Sequence, residues 1–404
     1  MLLGGTMAEI RSYMKEKNKR IKKQTDYKDK IRKHKLTAVY RVLLVLAAVA
    51  ALILLVIVQY RHHVYTDFDV ISSIEQESLA GTRDLRLGDS VLTYSRDGAH
   101  CTNSMGEVTW NQTYGIQDVK TSICGNTVAI GEYNGRNIYV ANSEKLLGNI
   151  TTTMPIRDLA VSSTGTVVAV LADTDITWVN TYDSSGTLRF EGRTYMNNSG
   201  YPVSVSLSPN GELLCVAYIY VDTGVIKTNI AFYNLGIIGD NYSDHLVSVY
   251  PYTDMLVPYV QFMNNETAFA VGDGRLMIYS GGYKPENKGE FLYDEEVKSV
   301  FYSDRYIGLV FASDDSEHMY RLNVYNAAAA RVGVYYFDMD YTDIFFGNEN
   351  FVIYNESECQ IMTLDGIEKY NGSFTKTVEL MLPLGNSYQY MLVTDTSIDK
   401  IQLK

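Results

Sequence analysis

Three aspartates, Asp338, Asp340 and Asp343, fall within six residues of one another. A loop folded around them would offer carboxylate oxygens to one cation, and an oxygen-only set of that kind suits Ca²⁺. The stretch lacks the glycine and the distal glutamate of an EF-hand loop, so a turn of solvated acids between repeat units is favoured over a calcium site. Asp314-Asp315-Ser316-Glu317 is a second acidic turn, read in the same way. Of the six histidines, only His62 and His63 are adjacent. They follow an apolar run, where contact with solvated lipid headgroups fits them better than a metal.

Other chemistry is sparse. The chain has no Gly-x-Ser-x-Gly nucleophile elbow, no His-Glu-x-x-His helix, no P-loop and no Gly-x-Gly-x-x-Gly. Its four cysteines (Cys101, Cys124, Cys215 and Cys359) have no metal-like spacing. Cys215 lies in an apolar run and reads as a small buried hydrophobe. Cys101 and Cys124 are the only pair close enough in sequence to suggest a disulfide, and whether they pair is left open. No catalytic residue and no cofactor is expected, and the chain is read as a non-enzyme. The thirty-three tyrosines are numerous. Tyr250, Tyr252 and Tyr259 alternate with prolines in a long insertion and suggest an exposed aromatic rim for protein or glycan contacts. The competing reading is that tyrosine is simply a good strand residue. Seven sequons (Asn111, Asn149, Asn197, Asn241, Asn265, Asn355 and Asn371) matter only in a secreted eukaryotic chain.

The elements that position these residues follow from charge and hydropathy. The net charge of −12 hides a division: residues 1–35 carry twelve Lys/Arg against four Asp/Glu, and residues 62–404 carry twenty-one against forty-three. An acidic portion of that size argues against nucleic acid as a partner. Between the two blocks, Val42 to Val58 is seventeen residues without a polar side chain. With Thr37–Tyr40 and Gln59–Tyr60 it reaches the roughly 20 residues that cross a bilayer as a helix. No small-residue cleavage site follows it, so an uncleaved signal anchor is expected. The basic cluster (Lys15, Lys19, Arg20, Lys22, Lys23, Arg32, Lys33 and Lys35 among others) precedes the span, which puts the N-terminus in the cytoplasm, with these side chains on anionic lipid. Gly4-Gly5-Thr6 before Met7 is what an in-frame purine-rich ribosome-binding site would encode, so a bacterial gene starting at Met7 is expected.

Beyond the span, eight apolar runs begin at Val91, Val128, Val167, Leu213, Ala268, Ile307, Phe351 and Tyr390, spaced by 37, 39, 46, 55, 39, 44 and 39 residues. That is the period of β-propeller blades, roughly 40–50 residues. No long amphipathic helix interrupts the series, and Gly, Asn, Asp and Ser punctuate it. Each unit has a first strand and tight turn, as in Val205 to Gly211, then the apolar run. A third strand follows, as in Ile230–Tyr233, and then a glycine hairpin into a fourth, as in Asp183 to Leu188.

Ser208-Pro209-Asn210-Gly211 resembles the first hairpin of WD-repeat-like blades, and Ser104 to Trp110 resembles the outer hairpin of quinoprotein-like (PQQ-type) blades. The layout of residues 37–404 resembles a family of uncharacterised single-pass propeller proteins of Gram-positive bacteria, known only as a domain of unknown function. The chain departs from the better-known families: it has no Trp-Asp dipeptide and only two tryptophans, Trp110 and Trp178. The resemblance implies a fold and no activity.

The expected organisation is a basic cytoplasmic tail (1–36), a transmembrane helix (37–60), a juxtamembrane segment (61–82) and an all-β propeller (83–404) of eight blades, with seven as the alternative. The last unit offers strands at Val378–Leu382, Gln389–Val393 and Ile398–Leu403 but no fourth. Val64–Ile74, claimed by no repeat, is expected to supply it and close the ring, because an unpaired edge costs backbone hydrogen bonds. The expected function is a non-catalytic protein-interaction or ligand-sensing scaffold at the cell envelope. The alternative is an extracytoplasmic enzyme acting on cell-wall or glycan substrates through carboxylates near the propeller axis, because such carboxylates carry no sequence signature.

Overall fold

A strand covered on both faces needs an unbroken apolar run, and the eight runs supply one strand each to eight separate sheets. The computed structural model describes residues 5–76, 81–173, 176–195, 200–253, 255–385 and 388–404. Residues 1–4 and the sequon asparagine Asn197 lie outside the described residues. The chain divides after His63 into two units.

The first unit is one helix, Gly5–Arg61. The point between residues 36 and 37, where the sequence passes from basic tail to expected span, lies inside this helix. The segment holds no proline and no glycine after Gly5, so nothing in it stops a helix. Lys15, Lys19, Arg20, Lys22, Lys23, Arg32, Lys33 and Lys35 are exposed along it. Lys30–Gln59, which contains Val42 and Val58, is long and apolar enough to be a candidate membrane span.

The second unit is an all-β propeller of eight four-stranded antiparallel blades. First strands of neighbouring blades lie against one another around the axis, and the strands of blades 1 to 7 follow outward in chain order. Every second strand is the apolar run read from the sequence; Val167–Ala172, for example, is buried from Val167 to Leu171. The 55-residue interval after Leu213 arises in blade 4. Its second and third strands, Leu213–Asp222 and Val225–Asn234, are ten residues each, and two short 3-10 turns precede the fourth.

Blade 1 shows how alternation assigns faces. Across its strands Arg83–Leu87, Ser90–Tyr94, Gly98–Thr102 and Val108–Thr113, the register sets Leu85, Leu92, Cys101 and Trp110 in one row. Leu92, Cys101 and Trp110 are buried against Val128 and Ile130 of blade 2. The next row, Asp84, Thr93, His100 and Asn111, points the other way, toward blade 8.

Blade 8 is completed as expected. Phe68–Glu75 pairs antiparallel with Ser397–Leu403, from Phe68 opposite Leu403 to Glu75 opposite Ser397, with a bulge between Val70 and Ser72. The strand is latched as well as laddered. The Ser73 hydroxyl donates to the Asp399 carboxylate, which also accepts from Lys376 Nζ at 2.8 Å. Lys404 reaches back to Asp69 at 2.5 Å. At the opposite edge of the seam, Gly106 of blade 1 has φ +81° and abuts Ile74. A methyl group there would come within 2.8 Å of Ile74 Cδ1, so glycine meets both the turn and the close approach.

Candidate functional site

The two acidic turns singled out by the sequence meet at one end of the ring. The loop after the second strand of blade 6 carries Asp314, Asp315 and Glu317, and the connection from blade 6 to blade 7 carries Asp338 and Asp340. The connection into blade 6 adds Asp294, Glu295 and Glu296, and all eight carboxylates are exposed. Each of several has its own partner. His318 Nδ1 lies 3.0 Å from Asp338, whose other oxygen accepts from the Met319 amide. Tyr320 donates to Asp340 at 3.0 Å. Arg321, itself buried, bridges Glu295 at 2.8 Å and Asp314 at 3.0 Å. The hydrogen bond to Asp338 holds His318 above its ordinary pKa and Asp338 below the usual carboxylate range.

Asp343 is not part of this rim. It opens the innermost strand of blade 7, where burial raises its pKa against the opposing effects of the Ile344 amide and Arg86 of blade 1. Asp338, Asp340 and Asp343 therefore do not converge, and among the described residues no three His, Cys, Asp or Glu side chains could hold a metal ion together. The reason is the fold: a connection between blades sends its last residue inward and its earlier residues outward.

Two further carboxyl groups, which sequence reasoning missed, lie at the junction of blades 8 and 1. Asp84 and Glu379, on innermost strands nearly 300 residues apart in the chain, share a hydrogen bond, and Thr93 donates a second to Asp84. Burial outweighs these bonds and raises the Asp84 pKa. Glycosidase carboxyl groups stand about 5 Å or more apart on either side of the scissile bond; a directly bonded pair leaves no room for a sugar linkage between them. Beside Asp84 is a cavity of about 200 Å³. Ile74 and Glu75 of the closing strand form one side of it, and Thr93, His100 and Thr102 of blade 1 the other. Burial lowers the His100 pKa and so favours the uncharged ring. In the sequence these polar residues alternate with apolar ones and read as solvent-facing; only ring closure turns them toward a neighbour.

The three tyrosines singled out in the sequence, and the thiols, are packed within the blades. Tyr250 and Tyr252 lie on the outer strand of blade 4 and Tyr259 on the inner strand of blade 5. They do not form an exposed rim. Tyr250 donates to the Pro285 carbonyl at 2.9 Å, and Tyr252 bonds the buried Tyr279 hydroxyl at 2.7 Å, both packed on the core between blades 4 and 5. The strand reading of these residues is the correct one. The four cysteines are unpaired, Cys101 and Cys124 included. Burial pushes the Cys359 thiol up to about 12 and raises the other three, so none is a ready thiolate nucleophile.

Comparison with known proteins gives the fold its context. Sqt1 from Chaetomium thermophilum, solved bound to the N-terminus of the ribosomal protein L10, is 11% identical with a TM-score of 0.50, covering 84% of this chain and 100% of its own. BamB from Moraxella catarrhalis is 12% identical with a TM-score of 0.46, covering 83% of this chain and 100% of its own. The Neurospora crassa Pan2 WD40 domain is 10% identical with a TM-score of 0.42, covering 70% of this chain and 89% of its own. At these identities the likeness to Sqt1 is one of fold. No curated protein matches the chain in sequence. A family model matches residues 61–403, the closing strand and all eight blades, and by that match the chain belongs to the family of unknown function DUF5711.

Proposed function

We propose that this chain is a membrane-anchored interaction scaffold of a Gram-positive cell envelope. The helix spans the membrane with its basic N-terminus in the cytoplasm, on anionic lipid, and the propeller works outside the cell without catalysis. The observation that carries the reading is the acidic rim around blade 6. Eight carboxylates stand there on a rigid ring with two full cations, Lys298 and Arg321, among them. A fixed surface of one sign selects partners of the other and speeds their approach, so the expected partner is a protein with a basic contact surface. Sqt1 bound to the N-terminus of a ribosomal protein is a precedent for a propeller used this way. Buried thiols and the directly bonded Asp84–Glu379 pair weigh against the enzyme alternative.

Crosslinking in intact cells with mass spectrometry of the adducts tests the scaffold reading. A protein adduct that is lost in the D314N/D315N/E317Q variant is expected; adducts with glycan alone, or adducts indifferent to those substitutions, would overturn it. Topology has its own test. External protease should digest from about residue 62 onward and spare the basic tail, and the reverse pattern refutes the orientation.

A further inference from the structure

We propose that the cavity between the closing strand and blade 1 binds a small organic cation, a diamine or a quaternary amine, and that the bound cation fastens the two ends of the ring together. The inference rests on the cavity alone and does not depend on the scaffold reading.

Size sets the first limit. A cavity of about 200 Å³ is somewhat larger than the roughly 150 Å³ cavity that holds a benzene, so it suits a molecule of about six to ten heavy atoms. Charge sets the second. Glu75 and Asp84 line the cavity, neither Lys nor Arg does, and burial disfavours the charged form of His100. An anion would enter against two carboxylates with no compensating donor of positive charge, whereas an ammonium group would meet them directly. The lining also separates a cation from a bare metal ion. No three metal-ligating side chains converge among the described residues, while Ile74 and Val108 give apolar walls for a carbon skeleton. Hydroxyls of Thr93 and Thr102 add acceptors for ammonium protons.

Position gives the consequence. Glu75 belongs to the strand that follows the N-terminal helix, and Asp84 belongs to the first strand of blade 1. A cation between them bridges elements that the backbone ladders do not join, since among the described residues the closing strand pairs with Ser397–Leu403 and with no strand of blade 1. Occupancy of the cavity is thereby coupled to how firmly the closing strand is held.

The test uses the full chain in detergent micelles, with putrescine and choline as probes and succinate and glycerol as size-matched controls. Calorimetry should detect saturable binding of at least one amine and of neither control, and saturation should raise the melting temperature by about 3 °C. D84N should weaken binding at least tenfold while the protein stays folded. E75Q, a change at an exposed position, should weaken it several-fold and serves if D84N disturbs the seam. Absence of saturable binding for both amines at 10 mM, approximately the weakest affinity worth the name for so small a ligand, would overturn the proposal. So would amine binding that neither substitution affects.

Discussion

Seven of the eight blade interfaces are alike and one is different. Between blades 4 and 5, fourteen buried hydrophobic residues interlock, with Phe232 and Tyr279 fully enclosed. The leanest of the seven, between blades 6 and 7, still gathers nine. At the seam between blades 8 and 1 the described residues supply six, and only Val91 comes from blade 1. That face also carries Asp84, Thr93, His100 and Thr102, which stand around a cavity. At roughly 2 kcal/mol per enclosed side chain, the seam lacks on the order of 6 kcal/mol of apolar packing relative to its leanest counterpart. The closing strand's ladder of seven paired residues lies inside blade 8, at about 1 kcal/mol net per hydrogen bond, and the strand leads by sequence into blade 1. Seven joints are thus held by oil, while the eighth has a thinner apolar contact beside a strand that pairs within blade 8 and continues by sequence into blade 1. The lesson is that a ring need not be uniformly cohesive, and that the joint left polar is the one where the first and last parts of the ring meet.

Removing the closing strand should break this arrangement most visibly. Deletion of residues 68–75 is expected to lower the melting temperature by roughly 10 °C or more; an unchanged temperature would make the segment a stalk. Matched leucines then measure the two kinds of joint. Leu92, facing blade 2, and Leu382, facing the seam, are both buried. Leu92→Ala should cost about 4 kcal/mol and Leu382→Ala about 2–3 kcal/mol, because a neighbouring cavity lets the seam relax. Equal costs in denaturant melts would erase the contrast.

Two aspartates sharpen the comparison through opposite pH responses. Burial pushes the Asp399 carboxyl up, but bonds from Lys376, Ser73 and Ser397 outweigh it and hold the pKa below the usual value. Its contribution is therefore present above the unfolded pKa, about 3.9, and is lost as pH falls through the folded value. D399N should cost about 1.5–3 kcal/mol at pH 7, with the deficit shrinking in melts below about pH 4. Asp84 behaves in the other sense. Its folded pKa is raised by burial, so its ionisation destabilises the fold progressively as pH rises from about 3.9 through the folded value. D84N should be the smallest effect, a gain of under about 1 kcal/mol at pH 7 that vanishes in acid. A loss of stability in that variant would mean the carboxylate is better satisfied than its surroundings indicate.

The contrast also explains what was legible in the sequence. Second strands are covered on both faces, so Val167–Val170 or Ala268–Val271 cannot be anything but apolar, and their spacing counted the blades. The closing strand was legible by elimination, because the last unit shows three strands and the segment from Val64 to Ile74 belongs to no other repeat. That tail and expected span form one continuous helix was less legible, since charge changes at residue 36 while helix propensity does not. The cavity was invisible for a different reason. Asp84 and His100 obey the alternation of a half-solvated strand, and Glu379 becomes their neighbour only when the ring closes. A local pattern reports which face a residue is on, not what will stand opposite.

The bond between Asp69 and Lys404 joins residues 335 positions apart. On a ribosome adding about 5–20 residues per second, the closing strand emerges first and waits roughly 17–67 s, at that rate, for its partner to be made. Throughout that interval it is an orphan edge able to pair with the wrong chain. Asp67, Asp69 and Glu75 along its length, and the bulge at Ile71, discourage such pairing. The acidic side chains that ornament the finished seam therefore serve earlier as guards on an unfinished one, and replacing them with neutral residues should reveal itself in the yield of soluble protein before it reveals itself in the melting temperature.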